Sequence, residues 1–404
     1  MDASTHLAPN ETSPRYEGWR IVVVCFLIAT FGWGLGFYGQ SVYLAELQRI
    51  HGWPASLISA GTTFFYLFGA RLVVFVAEVM RALGPRTCLI AGMLAMATAA
   101  LALGQVRELW QLYLADVLLA FGWAGTSLAI ITNTVSLWFE HRRGMAISLA
   151  LNGASFGGIA GVPLLVFAIG HLGFAVTMIL VAAVMVGVVI PIVALSVGRP
   201  PLQVGNAAKA LPPSARQIRS HAMRDVAFLS VTIAFALVLF AQVGFIVHLI
   251  AFLDPLIGRA SAALAVSLLT IMAMVGRVLF SAVIDRLDQR LASALSFASQ
   301  ALALAIIINS RNEVVMIGAC VVYGFSVGNL ITLPSLIVQR EFDPKSFGVL
   351  ISLVTAITQI TYAFGPGVVG ALRDLSGSYA LPFYGCIALE LIAAALVMVR
   401  GRAR

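Results

Sequence analysis

The chain has 404 residues, 60% of them hydrophobic and only 10% charged, with a mean hydropathy of +0.98. Soluble domains carry about 25% charged residues, so a water-soluble globule of this size could not cover its surface. Lipid as the solvent removes the difficulty, because the exterior can then be as apolar as the interior. The net charge of +8 does not mark a nucleic-acid partner, since Lys and Arg sit in short runs between apolar segments and form no single basic face.

In chain order, residues 1–18 form a polar tail with Pro9, Glu11 and Pro14, resembling a cytoplasmic extension more than a cleavable signal. A spanning helix needs about 20 apolar residues. That window predicts helices near 19–44, 54–80, 84–104, 109–137, 144–168 and 172–197, which make an N-terminal bundle over 19–197. The stretch 198–225 contains RPP, LPPSARQIRSH and five Lys/Arg, and is expected to be a cytoplasmic linker. A second set follows near 226–253, 260–284, 291–309, 313–338, 346–370 and 379–400, giving a C-terminal bundle over 226–400 and a short tail, 401–404. The expected fold is therefore an all-α membrane protein of twelve helices in two pseudo-symmetric bundles of six. Cys25, Cys88, Cys320 and Cys386 all fall in apolar segments with no CxxC pair, so they read as small core residues, with no metal site or cofactor expected.

Basic residues give the orientation. With the N-terminus inside, 18 Lys/Arg lie on the cytoplasmic side and five outside, and Arg71 and Arg277 lie within helices. Both termini and the linker are expected in the cytoplasm of a plasma (inner) membrane. A faint internal repeat accompanies this: AEVMRALGPR (77–86) and SAVIDRLDQR (281–290) follow equivalent helices, with Leu83 aligned to Leu287 and Arg86 to Arg290.

These segments resemble the major facilitator superfamily. The stretch with Asp285, Arg286 and Arg290 is similar to its loop motif G-x-x-x-D-R-x-G-x-R, with Ser281 and Asp288 in place of the two glycines. In the first copy, Arg81 stands where the family usually has Asp. WFEHRRGMAISLALNGASFGG (138–158), which holds Arg142 and Arg143, resembles the monocarboxylate-transporter-like and oxalate-exchanger-like branch, as do YEGWR (16–20) and FGPGVVGALRDLSGSY (364–379). The superfamily resemblance implies a rocker-switch transporter, with Asp285, Arg286, Arg290, Arg142 and Arg143 as gating or loop residues. The branch implies small organic anions as substrate, moved with a proton or exchanged for another anion, by a protein expected to act as a monomer.

Residues that could carry chemistry follow from charge placed in lipid. A charge at the bilayer centre costs on the order of 2.5–3.5 kcal/mol and persists mainly beside a wet cavity or a partner. Arg277 lies eight residues before Asp285, roughly 12 Å from the helix end, and Arg71 ten residues before Arg81, roughly 15 Å. Both are candidate substrate ligands. The branch resemblance implies that a helix 8 Arg at the position of Arg277 holds the substrate carboxylate, for which a planar guanidinium is suited. The branch's mammalian helix 8 Asp is Ala273 here, its helix 1 Lys aligns with Gln40, and no Lys occurs between Val349 and Gly370 where the oxalate exchangers carry one. Asp116 and His248 are candidate proton carriers. Tyr38, Gln40, Asn133, Gln242, Asn329 and Gln359 are candidate polar cavity residues, and Asn152 joins them. Glycines at 32, 34, 36 and 39, and at 153, 157 and 161, fit close helix packing or a sliding surface, and Gly365-Pro366-Gly367 is a candidate hinge.

An intramembrane enzyme would need a motif such as HExxH or GxSxG, and none occurs. A receptor or scaffold would need a soluble relay domain. Export of a drug or uptake of a neutral solute is the alternative within transport, and two central arginines disfavour a cationic drug. The orientation is checked with a cysteine introduced at Gln203. An impermeant thiol reagent should leave it unmodified in intact cells and label it in inverted vesicles.

Overall fold

Without water in the lipid core, each backbone N–H and C=O must be paired within its own segment, so apolar runs of this length fold as helices. The computed structural model describes residues 11, 13, 16–198, 215–283, 287–330, 332–343 and 346–400. Asp285 and Arg286, and most of the linker, lie outside the described residues. Among the described residues, eleven helices are long and apolar enough to cross a membrane. They are Gly18–His51 (helix 1), Ala55–Val74 (helix 2), Glu78–Gly104 (helix 3), Leu109–Ser136 (helix 4), Arg143–Leu172 (helix 5), Phe174–Ser196 (helix 6), Val226–Ile257 (helix 7), Arg259–Phe280 (helix 8), Gln289–Asn309 (helix 9), Phe347–Ser376 (helix 11) and Ala380–Val397 (helix 12). Helix 10 is divided into Glu313–Val327 and Leu333–Glu341. Each expected span thus has its helix. The boundary near residue 80 differs, because helix 2 is interrupted at Phe75 and the segment given as helix 3 turns within itself at Gly84.

That turn is a single residue. Gly84 (φ 79°, ψ 161°), Gly173 (φ 82°, ψ 163°) and Gly258 (φ 82°, ψ 159°) share one backbone conformation, which is essentially restricted to glycine. The last two join helix 5 to helix 6 and helix 7 to helix 8 without a loop.

The two bundles repeat one pattern of neighbours. Helix 1 packs on helix 5, helix 2 on helix 4, and helix 3 on helices 4 and 6. Helix 7 likewise packs on helix 11, helix 8 on helix 10, and helix 9 on helices 10 and 12. Glycine backbones make the closest of these approaches. A Cβ at Gly153 or Gly157 would strike the carbonyl of Phe26 or Thr30 on helix 1, and one at Gly324 or Gly328 would strike Leu269 or Ala273 on helix 8.

Arg290 ties together one end of the C-terminal bundle. Its side chain is buried, meets both oxygens of Glu341 at 2.7 Å, and donates to Ser230 Oγ and to the carbonyls of Ala227, Val397 and Val399 at 2.7–3.0 Å. One guanidinium so joins the ends of helices 7, 9, 10 and 12. Asp288 caps helix 9 beside it, accepting from Arg290 N and Leu291 N, and pairs with Arg400. Arg290→Ala should leave Glu341 and several carbonyls without a donor, costing about 3 kcal/mol, the lower end for a broken buried pair. Thermal unfolding of the detergent-purified protein checks this, and Arg290→Lys should recover only part of the loss.

Candidate functional site

The centre of the protein is where helices break. Helix 1 widens into π turns over Gly34–Tyr38, and helix 5 does so over Gly157–Gly161, directly against it. Helix 4 pauses at Thr126 and Ser127, helix 10 over Gly328–Leu330, and helix 11 at Phe364. Breaks and π turns release carbonyls from helical pairing, and they recur at functional sites. Arg277 uses one of them. Its Nε donates to the Gly328 carbonyl at 3.2 Å, and among the described residues its two Nη groups have no hydrogen-bond partner. The side chain is half-buried.

Across the seam between bundles, Tyr38 lies beside Thr270 of helix 8 and within electrostatic range of Arg277. Gly158 makes this approach possible, since a Cβ there would overlap both Thr270 and the Tyr38 ring. Gln40 Oε1 accepts from Thr62 Oγ1 at 2.9 Å, leaving its buried Nε2 without a partner among the described residues. The Tyr66 hydroxyl and Asn329 Oδ1 are also buried and unpartnered among the described residues. Tyr66 meets Tyr362 of helix 11 edge-on across the seam, with ring centroids 5.8 Å apart. Tyr38, Gln40, Arg277 and Asn329 are therefore drawn towards one region, joined by Thr62, Tyr66, Thr270 and Tyr362, which the sequence did not single out.

Other candidates lie elsewhere. Gln242 is buried inside the C-terminal bundle and accepts from Gln300 of helix 9 at 3.3 Å. Arg71 and Asn133 are exposed, and Gln359 is half-buried. Asp116 is buried where helix 4 meets helix 2, opposite Gly61, and its Oδ2 has no partner among the described residues. His248 is enclosed by helices 7, 11 and 12, with Nδ1 3.1 Å from the Tyr379 hydroxyl and Nε2 3.0 Å from the Pro366 carbonyl. Because a carbonyl only accepts, Nε2 carries a proton there. Glu390 of helix 12, fully buried and bonded to the Tyr323 hydroxyl at 3.1 Å, is a second intramembrane acid that sequence reasoning missed. Its signal was an acid inside the apolar run ALELIAAALV.

The bundles are sealed together at the face opposite the start of helix 1 and the end of helix 12. Glu46 of helix 1 is buried and paired with Arg259 of helix 8 and with Arg49, the latter at 2.9 Å. Asp374 of helix 11 accepts from Ala55 N and Ser56 N at 3.3 and 2.7 Å, so a carboxylate of one bundle caps helix 2 of the other. Below it, Gly367 N donates to Thr63 Oγ1 at 3.1 Å, and Gly370 admits Ser59 with no room for a Cβ. Above the seal lies a cavity of about 650 Å³ whose lining includes Arg49, Trp53, Asp254 and Arg373.

At the other face, the Glu11 carboxylate accepts from the N–H groups of Glu140, His141 and Arg142 at 2.6–3.1 Å, holding the turn between helices 4 and 5. Arg143 bonds the Phe139 carbonyl at 3.2 Å. Burial raises the Glu11 pKa, but these three N–H groups and nearby His141 outweigh it and hold the carboxyl below its ordinary value. The stabilisation from this contact is therefore complete above the ordinary carboxylate pKa and is lost as pH falls through the lowered one.

The sequence model of the Major Facilitator Superfamily matches residues 24–366 and 257–403. The chain belongs to that superfamily. It is 28% identical to the MFS-type transporter pynF of Aspergillus niger across 99% of this chain and 91% of that protein. It is 27% identical to monocarboxylate transporter 13 of Bos taurus across 91% and 85%. In fold it matches a crystal structure of the nucleoside transporter NupG with TM-score 0.75, 13% identity and coverage of 95% and 100%. A bacterial homologue of the human lysosomal transporter Spinster, inward-facing and occupied, gives TM-score 0.72 at 14% identity, with coverage of 95% and 97%. The protein is thus a membrane transporter of the superfamily, not an enzyme, and its fold is the twelve-helix, two-bundle one.

Proposed function

We propose that this superfamily member is a secondary transporter of a small organic anion, moved with a proton by alternating access. Both termini then lie in the cytoplasm of the plasma membrane, and one chain is sufficient. The observation that carries the proposal is Arg277. It reaches the centre of the protein, spends one N–H on Gly328, and keeps its two Nη groups free of partners among the described residues. A carboxylate arriving there replaces water with two charge-assisted hydrogen bonds. Gln40 Nε2 and the Tyr66 hydroxyl, both buried without partners among the described residues, supply further donors to such an anion.

In this orientation the sealed face is external. Helices 8 and 11 each contribute to both the seal and the centre. Helix 8 carries Thr270 and Arg277 in the centre and Arg259 in the seal. Helix 11 carries Tyr362 in the centre and Asp374 in the seal. Rocking the bundles opens the Glu46–Arg259 and Asp374 contacts and presents the site outward.

Asp116 is the favoured proton carrier. Its oxygen, unpartnered among the described residues, can take a proton without disturbing an existing bond, whereas a second proton on His248 would have to reverse the Tyr379 hydrogen bond, the hydroxyl turning from donor to acceptor. A co-transported proton offsets the anion's charge, which otherwise opposes uptake by about 2.3 kcal/mol per 100 mV. The relatives include an aspyridones efflux protein of Emericella nidulans, 24% identical across 93% of this chain, which favours export as the second direction of net flux.

Direct binding to purified protein tests the role of Arg277. Arg277→Lys should fold and insert but bind a carboxylate about ten- to a hundred-fold more weakly, as for losing about 1.5–3 kcal/mol of charged hydrogen bonding. Arg277→Ala should abolish transport, and wild-type affinity in it would end the proposal. In vesicles reconstituted with the purified protein, an inward proton gradient should accelerate uptake, and Asp116→Asn should remove that acceleration. Indifference to the gradient would instead favour exchange.

A further inference from the structure

The two walls around Arg277 differ in chemistry. On the C-terminal side stand Arg277, Thr270 and Asn329. On the N-terminal side stands a connected set of rings. Trp33 lies 5.2 Å from Trp123 and 5.5 Å from Phe37, Phe37 lies 5.0 Å from Tyr38 and 6.3 Å from Tyr66, and Tyr66 meets Tyr362 across the seam. The set therefore runs from a double-indole corner to the tyrosine beside the arginine.

These rings are not simply core. Phe235, Phe245, Phe297 and Phe383, which pack the inside of the C-terminal bundle, are fully buried. Trp33, Phe37, Trp123 and Tyr362 are only half-buried although they sit in mid-helix. Phe37 neighbours Tyr38 and Tyr66, which reach Thr270 and Tyr362 of the other bundle, so its exposed edge faces the gap between bundles and not lipid. Trp123 holds its place by lying over Gly36 and Gly69, where a Cβ would crowd the indole. Backbone glycine on two helices has been used to bring a large ring inward.

We propose that the transported anion has a flat aromatic body of one or two rings, which lies against Trp33, Phe37 and Trp123 while its carboxylate meets Arg277. This rests on the anion assignment above and adds the chemistry of the rest of the molecule. Ring faces held at these centroid spacings accept another ring edge-on or offset-stacked, and that contact adds to the gain from burying apolar area. A two- or three-carbon acid held at Arg277 would leave the rings in contact with water. The Tyr66 hydroxyl, 2% exposed and without a partner among the described residues, would serve the carboxylate or a polar substituent on the ring.

Binding of four probes to the purified full-length protein tests this: indole-3-acetate, its neutral amide, lactate and oxalate. Indole-3-acetate should bind at least about tenfold more tightly than lactate or oxalate, the ratio that about 1.4 kcal/mol of ring contact gives. Phe37→Ala should cost the indole acid about tenfold and change lactate affinity less than about twofold. If Phe37→Ala unfolds, Phe37→Leu keeps the volume, and a loss confined to the aromatic probe still supports the assignment. Equal or tighter binding of lactate or oxalate would overturn it, as would an unchanged indole-3-acetate affinity in both Phe37 variants, or no binding of that acid at millimolar concentration. If the amide binds as tightly as the acid and remains sensitive to Phe37, the aromatic wall stands and the anion assignment fails.

Discussion

Everything in this protein is arranged around the cost of an unpaired backbone group in lipid. A helix can stop in the middle of a membrane only where something else takes up the carbonyls it releases. Here the interruptions of helices 1, 4, 5, 10 and 11 gather in the interior. The Arg277–Gly328 hydrogen bond shows how two liabilities cancel. A buried guanidinium needs acceptors, and a broken helix 10 needs a donor. One N–H settles the carbonyl and leaves the rest of the guanidinium facing the space between the bundles.

The duplicated packing turns that local arrangement into a mechanism. Each bundle is held rigid by glycine-mediated contacts within itself, helix 1 to helix 5 and helix 8 to helix 10, in which backbones touch and no side chain can adjust. Between bundles glycine also admits side chains closely, at Gly158 to Thr270 and at Gly370 to Ser59, and the polar contacts are of another kind. They are ion pairs, a helix cap and single hydrogen bonds, at Glu46–Arg259, Asp374 to helix 2 and Gly367 to Thr63. Such contacts can exchange for water at a modest net cost, whereas interlocked backbones cannot. Movement is thus directed to the seam. Arg290 strengthens the contrast by fastening four helix ends of one bundle to a single side chain.

The spans were legible because hydropathy of this strength has one solution in lipid, and the depth of Arg277 was legible from its distance to the loop motif. Which way each polar residue faces was not. Helices that are apolar nearly all round have no moment to orient them, so Gln242, turned into its own bundle towards Gln300, looked the same in sequence as Gln40. Tyr66, Tyr362 and Thr270 were hidden for the same reason, since each is ordinary within an apolar helix and becomes informative only beside its partner in the other bundle. Arg259 counted simply as an external loop charge until the fold set it against Glu46. Glu390 was the omission that the sequence itself could have prevented.

In the proposed mechanism, an anion on Arg277 shifts the balance between the state sealed at this face and the state open there. Spin labels at Glu108 and Arg311, on the loops of the sealed face, report the separation of the bundles directly. A saturating organic carboxylate should lengthen part of that distance distribution in the wild-type transporter and leave it unchanged in Arg277→Ala. The same lengthening in Arg277→Ala, or none in the wild type despite measured binding, would contradict the mechanism.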